Sequence, residues 1–352
     1  MRHQWTIVGA GPAGILTIGK LLDNGVPPEA ILWIDDEFYV GRIGKYYQNV
    51  PSNDYVRDWI EVFTYFPIFQ KFGMSVLREY SPDSNQPLGV IFSILFEITE
   101  FLHKRVDYRK DHVKELKYQR NRWYIRLKKH KRIYNSKNVV LATGSHPLTL
   151  NYGSVIPEIP LDTAIDKNRL SDAIYSHETI AVIGSGQSAI LLLKFLSELG
   201  VQRIINFHTI NINETITNLK AETLDWAQTN LTNRRRDGNE FNGLNTEIIR
   251  VYNDAVNRNH WLPQCSQVIY AVGYERNTLP RIRNTEVDLD NNEGILGPHL
   301  FGCGIAFPEK ELHADGRVIR RVGIMSFTRF LNKNIPTWLE SSGSINSKHN
   351  SH

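Results

Sequence analysis

Cysteine is scarce in this chain, whose 352 residues include only Cys265 and Cys303, far apart in the sequence. There is no Cys-x-x-Cys pair, which excludes the dithiol chemistry of disulfide reductases and any four-cysteine metal site. Each cysteine lies beside strand-like sequence and is predicted to be a small core side chain. No metal site is predicted, because His349 and His352 in the C-terminal tail are too isolated to form one.

Long hydrophobic runs are also missing. The longest, residues 89–102, is interrupted by Glu97 and Glu100 and is too short to span a bilayer. It therefore predicts a buried helix, and no membrane span is expected. Strand-like sequence begins within a few residues of the N-terminus and leaves no room for a signal peptide, so a cytoplasmic location is expected.

Neither sign of charge dominates the chain. The formal net charge is +4 and the basic residues are interpreted as spread out, so no nucleic-acid partner is predicted. The densest basic cluster, residues 234–236, is interpreted as a solvated loop, with a cofactor-phosphate contact as the alternative. With 41% hydrophobic and 22% charged residues the composition is that of a globular protein, and the length allows two domains.

The first of two similar glycine-rich turns follows an apolar strand and precedes an apolar helix, as dinucleotide binding requires. Gly9 is expected to make the tight turn, Gly11 to let the backbone approach a pyrophosphate, and Gly14 to let helix and strand pack closely. Asp35 ends the next apolar strand, about 20 residues later, where a carboxylate can accept both ribose hydroxyls. The predicted cofactor-binding residues here are Gly9, Gly11, Pro12, Ala13, Gly14, Asp35, Asp36 and Gly41.

The second turn repeats this pattern after the apolar strand 180–183. Ala189 takes the third glycine position, where only a small residue is needed. The following strand, 203–208, does not end in an acid, which is compatible with NADP because a carboxylate would repel its 2′-phosphate. The predicted binding residues are Gly184, Ser185, Gly186, Gln187, Ser188 and Ala189. For both turns the alternative is an ordinary strand-to-helix connection.

Two further buried strands, near 138–142 and 267–272, end in small residues that allow a cofactor close to the backbone. Alternating residues over 123–135 predict a meander before the first of these. Because the strands bracket the second turn, the fold class is α/β with two Rossmann-like three-layer dinucleotide-binding domains, the second inserted in the first. The predicted strand-end contacts are Thr143, Gly144 and Gly273.

The predicted first domain is discontinuous and covers 1–145 and 276–339, and the second covers 146–275. Within the second, the polar region 220–264 matches neither dinucleotide core and is predicted to be an insertion, in the role of a lid or substrate-facing segment. Residues 340–352 are rich in Ser, Asn, Lys and His and are predicted to be a disordered tail.

These motifs, in this order, resemble the two-dinucleotide-binding flavoproteins over nearly the whole chain. The resemblance implies FAD on the first turn and NADPH or NADH on the second. Three segments are similar to flavin-containing monooxygenases and to lysine and ornithine N-hydroxylases, namely 46–53, 271–274 and 298–306. In the first of these the resemblance places Asn53 beside the flavin ring, while a turn-forming role is the alternative. In the third the resemblance adds Gly304 to the predicted cofactor contacts, and Ile305 stands where reductases usually have an aspartate.

Two positions differ from that branch. Arg42 replaces the second glycine of the usual pair after the acidic strand end, and the aromatic-glycine-histidine linker motif is not found between Gly144 and Ile180. The resemblance implies a monooxygenase-like oxidoreductase in which NAD(P)H reduces FAD and a small molecule is the substrate. The alternatives are a reductase or oxidase without oxygen insertion, and a redox-sensing flavoprotein. The sequence does not predict an oligomeric state.

Overall fold

The computed structural model describes residues 2–152, 156–217, 219–232, 246–312, 316 and 318–342. The strands of these residues are β1 (Arg2–Val8), β2 (Ile31–Asp35), β3 (Pro51–Tyr55), β4 (Asn85–Pro87), β5 (Asp107–Lys110), β6 (Val113–Gln119), β7 (Arg122–Leu127), β8 (Ile133–Leu141), β9 (Ser145–Pro147), β10 (Thr179–Ile183), β11 (Arg203–His208), β12 (Glu247–Tyr252), β13 (Gln267–Tyr270), β14 (Tyr274–Arg276), β15 (Arg281–Arg283), β16 (Ile295–Gly297), β17 (Leu300–Gly302), β18 (Glu309–Leu312) and β19 (Val318–Arg321).

The α-helices are α1 (Pro12–Asp23), α2 (Gly41–Tyr46), α3 (Val56–Thr64), α4 (Gln70–Leu77), α5 (Leu88–His103), α6 (Leu161–Ala164), α7 (Lys167–Ser171), α8 (Gln187–Glu198), α9 (Ile212–Ile216), α10 (Ala221–Ala227), α11 (Ala255–Trp261) and α12 (Ile324–Ser341). The buried helix predicted over 89–102 is confirmed as α5. In the part of the chain that the structure describes, no helix is long and apolar enough to cross a membrane.

The first sheet has a parallel core in the order β5-β2-β1-β8-β17. Its central strands are buried on both faces, which explains why they read as continuous apolar runs. The carboxyl ends of β1, β2, β8 and β17 meet at one edge. This edge is where a doubly wound sheet binds its ligands.

Strand β8 has two partners on one side, because its first half pairs with β7 and its second half with β17. Strands β6, β7 and β8 therefore form the antiparallel meander that the sequence predicts, and β15 extends it beside β6. The meander packs on one face of the parallel sheet, and helices that include α1, α5 and α12 pack on the other.

The second sheet is fully parallel, in the order β12-β11-β10-β13. The prediction of two Rossmann-like α/β sheets is thus confirmed. Strand β12 comes from the region that was predicted to be an insertion and forms the edge of this sheet beside β11. Its residues are only partly buried, so they lack the continuous apolar run of a central strand. The Arg234–Arg236 cluster lies outside the described residues.

The chain enters and leaves the second sheet through β9 and β14, which pair with each other antiparallel. After this crossing β16 and β17 return to the first sheet, and α12 packs against α1. Trp338 of α12 is fully buried and stacks on Phe301 of β17 with a centroid distance of 4.8 Å. Helix α12 extends to Ser341, two residues into the predicted tail, and residues 343–352 lie outside the described part.

Candidate active-site cleft

The first glycine-rich turn has the shape that its three glycines predict. Gly9 has φ +114°, and a Cβ there would lie 2.2 Å from the Ala142 carbonyl oxygen. A Cβ on Gly14 would lie 2.1 Å from the Gly9 carbonyl oxygen, so helix α1 packs directly on the turn. A Cβ on Gly11 would meet no atom within 4 Å. Gly9 and Gly14 are therefore required by the fold, whereas Gly11 leaves space open for a ligand.

Asp35, at the end of β2, is bound to this turn. Its Oδ2 accepts the Ala10 amide at 2.8 Å, and its Oδ1 accepts the amides of Glu37 and Phe38 at 2.8 and 2.7 Å. A carboxylate oxygen has more than one acceptor site, so the group can still accept a ribose hydroxyl. Asp35 thus holds the turn and faces the predicted ribose position at the same time.

The loop after Asp35 is conformationally constrained. Phe38, Val40 and Gly41 have φ of +56°, +55° and +59°. For the β-branched Val40 this left-handed conformation is a strained one. It brings Gly41 so close that a Cβ there would lie 3.2 Å from the Gly11 Cα. The loop therefore forms the wall of the cleft opposite the first turn.

A cleft of about 530 Å³ runs along this edge of the first sheet and reaches the second domain. Its lining includes eight of the predicted residues: Gly9, Gly11, Pro12, Asp35, Asp36, Gly41, Thr143 and Gly144. It also includes residues that sequence reasoning did not select as contacts, among them Arg42, Tyr46, Tyr47, Asp54, Trp59, Ser145, Tyr274, Asn277, Ile305 and Phe327. Tyr46, Tyr47, Tyr274 and Ile305 lie in the three segments that resemble monooxygenases, whereas the others come from parts of the chain that no such segment marks.

Apart from the second turn, five predicted residues are not among those that line the cleft, and one of them, Gly14, packs on the Gly9 carbonyl as described above. Ala13 and Gly304 pack against each other instead, since a Cβ on Gly304 would lie 2.6 Å from the Ala13 Cβ. Gly273 has φ +101° and turns the chain between β13 and β14. Asn53 lies on β3, and it is its neighbour Asp54 that lines the cleft. The placement of Asn53 beside a flavin ring stays a prediction.

The lining fits FAD. Beside the open cradle at Gly11, the hydroxyls of Thr143 and Ser145 are buried in the cleft lining without a protein hydrogen-bond partner. Buried polar groups are normally satisfied, so these two await partners from a ligand. Asn277, which donates to the Thr143 carbonyl oxygen at 2.8 Å, fixes the backbone of this strand end.

The second turn has the same architecture as the first. Gly184 has φ +146°, and a Cβ there would lie 2.2 Å from the Ala271 carbonyl oxygen, while a Cβ on Gly186 would meet nothing within 4 Å. Ala189 is completely buried under the turn, and α8 begins at Gln187. The Ser185 hydroxyl accepts the Thr209 amide at 2.8 Å. Ser185 thus ties the loop after β11 to the turn, as Asp35 does in the first domain.

The end of β11 is where a second ribose would lie, and β12 brings unexpected residues to it. His208 pairs with Tyr252 in the register of the two strands, and the Asn253 amide donates to the His208 carbonyl oxygen at 2.9 Å. Arg258 of α11 donates to the Asn253 side chain at 2.9 Å. The structure therefore places an arginine at this corner. Sequence reasoning missed it because 220–264 was interpreted as an insertion.

A polar network joins the two domains across the cleft. Arg42 of α2 forms an ion pair with Asp162 of α6. The Tyr47 hydroxyl donates to Asp162 at 2.9 Å and lies 3.2 Å from the Tyr274 hydroxyl. Because Arg42 replaces the usual second glycine, a side chain exists here that can reach the second domain. The departure from the family pattern is thus the basis of an inter-domain contact.

The surroundings of Arg42, Tyr47 and Tyr274 raise the pKa values of these three side chains. Burial raises the pKa values of Tyr47 and Tyr274, so both phenols stay neutral. Burial opposes the charge of Arg42, but hydrogen bonds to Asp162 and Tyr47 outweigh it and raise the pKa of Arg42. Arg42 therefore stays charged, and the two hydroxyls stay neutral, across the physiological pH range.

A second inter-domain contact lies near Asp54. Lys220 Nζ lies 3.4 Å from Asp58 and 4.0 Å from Asp54. Burial raises the pKa of Asp54, and Lys220 opposes this shift. Two segments of the first domain thus form charged contacts with the second domain, one through Arg42 and the other through Asp54 and Asp58.

The two cysteines are separated by the fold. Cys303 is fully buried in the helix-covered core of the first sheet, whereas Cys265 belongs to a core cluster of the second domain. Burial raises both thiol pKa values to about 12. The predicted role of both as core side chains fits these positions. Within the described residues there is no cluster of three or more potential metal ligands.

A family model described as pyridine nucleotide-disulphide oxidoreductase matches residues 3–297. The chain belongs to this family. It is an FAD-dependent NAD(P)H oxidoreductase, and the geometry of the two turns and the cleft is compatible with this activity. A monooxygenase of Paecilomyces divaricatus, AgnR1, is 27% identical to this chain over 391 residues. The match covers 95% of this chain and 97% of AgnR1.

Solved structures share the fold over almost the full length. A flavin monooxygenase of Stenotrophomonas maltophilia, determined as a double mutant, has a TM-score of 0.62 and 14% identity, with 97% of this chain and 99% of that one covered. A bacillithiol disulfide reductase of Staphylococcus aureus has a TM-score of 0.61 and 14% identity, with the same shares covered. At such identities the likeness shows the fold alone.

Proposed function

We propose that this protein is a monooxygenase-like flavoprotein that takes hydride from NADPH and acts on a small molecule. FAD would lie along the first cleft, with its pyrophosphate at Gly11 and its adenosine ribose at Asp35. The pyridine nucleotide would lie at the second turn. The inserted segment 146–275 would thus be the NAD(P)-binding domain, and the flanking segments the FAD-binding domain.

The observation that carries this choice is the separation of the cysteines. A dithiol mechanism of disulfide reduction needs two neighbouring reactive thiols, and here both thiols are buried in different cores with raised pKa values. Reduced flavin must therefore pass electrons to oxygen or to another acceptor in the cleft. The relative named a monooxygenase, matched over almost its whole length, supports the first of these.

The chemistry belongs to the flavin, which accepts hydride and passes on electrons when bound. The residues of the protein bind the cofactors and orient them. Gly11 lets the backbone approach a pyrophosphate, while Arg42, Tyr47, Asp162 and Tyr274 keep the two domains in contact beside it. Tyr46, Trp59, Leu88, Ile91 and Phe327 make part of the wall apolar and limit the entry of water.

A preference for NADPH rests on the corner near His208. No acid occupies the end of β11, and Arg258 is linked through Asn253 to the same corner. A guanidinium suits a 2′-phosphate because it can form paired charge-assisted hydrogen bonds. NADH has no 2′-phosphate and would form no such hydrogen bonds with Arg258.

An oxidase or reductase without oxygen insertion is the second candidate, and the missing linker motif between Gly144 and Ile180 favours it. Without that motif we expect substantial hydrogen peroxide release. The purified protein, loaded with FAD, should be supplied with NADPH, and peroxide formed per NADPH consumed should be measured with and without amine or sulfide substrates.

A fall of this ratio in the presence of a substrate, with an oxygenated product, supports the monooxygenase. A ratio that stays near one with every substrate contradicts it and identifies an oxidase. Negligible NADPH oxidation with FAD still bound would instead favour a redox-sensing flavoprotein. The cytoplasmic location expected from the sequence stays a prediction.

A further inference from the structure

Positive charge is concentrated in one part of the fold. Residues 104–137 contain 14 Lys and Arg against three Asp and Glu, a net charge of +11, while all other residues together carry −7. The interpretation of the basic residues as spread out is therefore wrong. The segment comprises β5 at the edge of the parallel sheet, the meander β6-β7-β8 that packs on this sheet, and their connections.

The register of the sheet explains how this charge reaches the surface. One cross-strand row consists of Ile282, Leu116, Ile125 and Tyr134, and it packs toward the parallel sheet. The alternate rows point outward and consist of Arg281, Glu115, Arg126 and Ile133, followed by Arg283, Lys117, Tyr124 and Asn135. We call this outward side, together with the β7–β8 turn 128–132, the basic face.

Most cations of the segment 104–137 have no carboxylate partner. Eleven of them are exposed and form no ion pair within the described residues: Lys104, Arg105, Lys110, Lys114, Lys117, Arg120, Arg126, Lys128, Lys129, Lys131 and Arg132. The carboxylates nearby are already engaged, Glu115 by Arg283 at 2.7 Å and Asp111 by His130 at 2.6 Å. Such a face attracts anionic partners.

Exposed apolar side chains lie among these cations. Ile133 is 51% exposed beside Arg132, and Tyr108, on β5 in the same segment, is 41% exposed next to Arg109. A broad sheet surface offers no single helix or ribbon to enter a DNA groove. Cations around an isolated aliphatic and an aromatic side chain instead match the charged headgroups and the interfacial zone of a bilayer.

We propose that the basic face binds the surface of an anionic lipid bilayer, as a peripheral contact without any membrane span. This assignment is independent of the proposed oxidoreductase reaction, since the face is formed by the meander layer and not by the lining of the cleft. It would place the flavoprotein at a membrane where apolar small molecules partition.

The test is sedimentation of the FAD-loaded protein with phosphatidylcholine vesicles, with and without phosphatidylserine. Binding is expected only with phosphatidylserine and should be released by salt. The variant Lys117→Glu/Lys128→Glu/Lys131→Glu should bind at least about 100-fold more weakly, because each surface cation contributes about 1 kcal/mol. The control Arg78→Glu/Arg320→Glu/Lys333→Glu changes the net charge equally at exposed positions outside the face and should bind like the parent.

Ile133→Ser separates a lipid surface from other polyanions. It should weaken vesicle binding while leaving any binding to duplex DNA unchanged. Equal binding to both vesicle types, equal losses in both triple variants, an unaffected Ile133→Ser, or binding to DNA but not to vesicles would each overturn the proposal. Bound FAD and the unfolding temperature show that each variant is folded.

Discussion

The carboxylate of Asp35 accepts the backbone amide of Ala10 at 2.8 Å, so the acid that ends β2 also holds the first glycine-rich turn. In the second domain the same link runs in the opposite direction, from the Thr209 amide after β11 to the Ser185 side chain of the turn at 2.8 Å. In both sites a hydrogen bond between a side chain and a backbone amide therefore links the glycine-rich turn to the end of the next strand. The strand end supplies the side chain in the first site, and the turn supplies it in the second.

The glycines of the first turn should separate binding from folding. Gly11→Val is expected to yield a folded protein without FAD, because its side chain would enter space that no protein atom occupies. Gly14→Ala should instead destabilise the fold by about 1–3 kcal/mol or more, since its Cβ would lie 2.1 Å from a backbone oxygen. The visible spectrum and denaturant unfolding measure the two effects. A yellow Gly11→Val protein would contradict the assignment.

Arg42 and Asp162 should act together. Arg42→Gln and Asp162→Asn are each expected to slow the limiting rate of flavin reduction by NADPH about tenfold, and the double variant should be no slower than the slower single one. The exposed pair of Lys45 on α2 and Glu37 in the loop before it is the control and should show little coupling. Additive effects of Arg42 and Asp162 in stopped-flow reduction would mean that they do not position the domains jointly.

The nucleotide preference should change at the corner of β11 and β12. Arg258→Ala is expected to raise KM for NADPH by about tenfold, equivalent to one charge-assisted contact, with little effect on NADH. His208→Asp should shift the balance toward NADH if this strand end meets the ribose. Direct titration of both nucleotides checks this. Equal loss of both in Arg258→Ala would assign that residue a structural role.

Asp111 should control acid stability. Its buried side chain accepts three backbone amides and His130, and although burial alone raises the pKa, these hydrogen bonds hold it well below its usual range. The stabilisation is thus complete above the unfolded pKa of about 3.9 and lost as the pH falls below it. Asp111→Ala should lower the unfolding free energy by about 2–3 kcal/mol at pH 7 and by less at pH 3. A loss that does not change with pH would contradict the assignment.

The neighbours Asn53 and Asp54 can be distinguished by the reoxidation of the reduced protein in oxygen. Asn53→Ala is expected to alter the rate if Asn53 faces the flavin ring, as the family resemblance implies. If the rate changes in Asp54→Ala alone, the residue near the ring is the one that lines the cleft in the structure. Rapid mixing with oxygen after anaerobic reduction gives both rates.

Local physics made the dinucleotide turns predictable. The positive φ of Gly9 and the close approach of Gly14 are requirements of a tight strand-to-helix turn, and only small residues meet them. The central strands were equally clear because burial on both faces leaves a continuous apolar run.

Edge strands and contacts between distant segments were not predictable in this way. Strand β12 is only partly buried, so its sequence lacks the continuous apolar run of a central strand and resembles that of a loop. The pairing of Arg42 with Asp162 depends on how two domains meet across 120 residues of chain. Sequence spacing contains no information on such a meeting. The positive charge of the basic face is, in contrast, visible in the sequence, since residues 104–137 contain 14 Lys and Arg, but its place on the outward side of the meander follows only from the register of the strands.

The pairing of β9 with β14 makes the second domain a removable module. Ser145 and Arg276 are cross-strand partners, so the two ends of the inserted segment are neighbours in space. One short loop between them would restore a continuous chain through the first sheet without stretching any strand. The gene for such a chain would encode a flavin-binding unit alone, and exchange of the excised segment between relatives would transfer nucleotide preference as a single part.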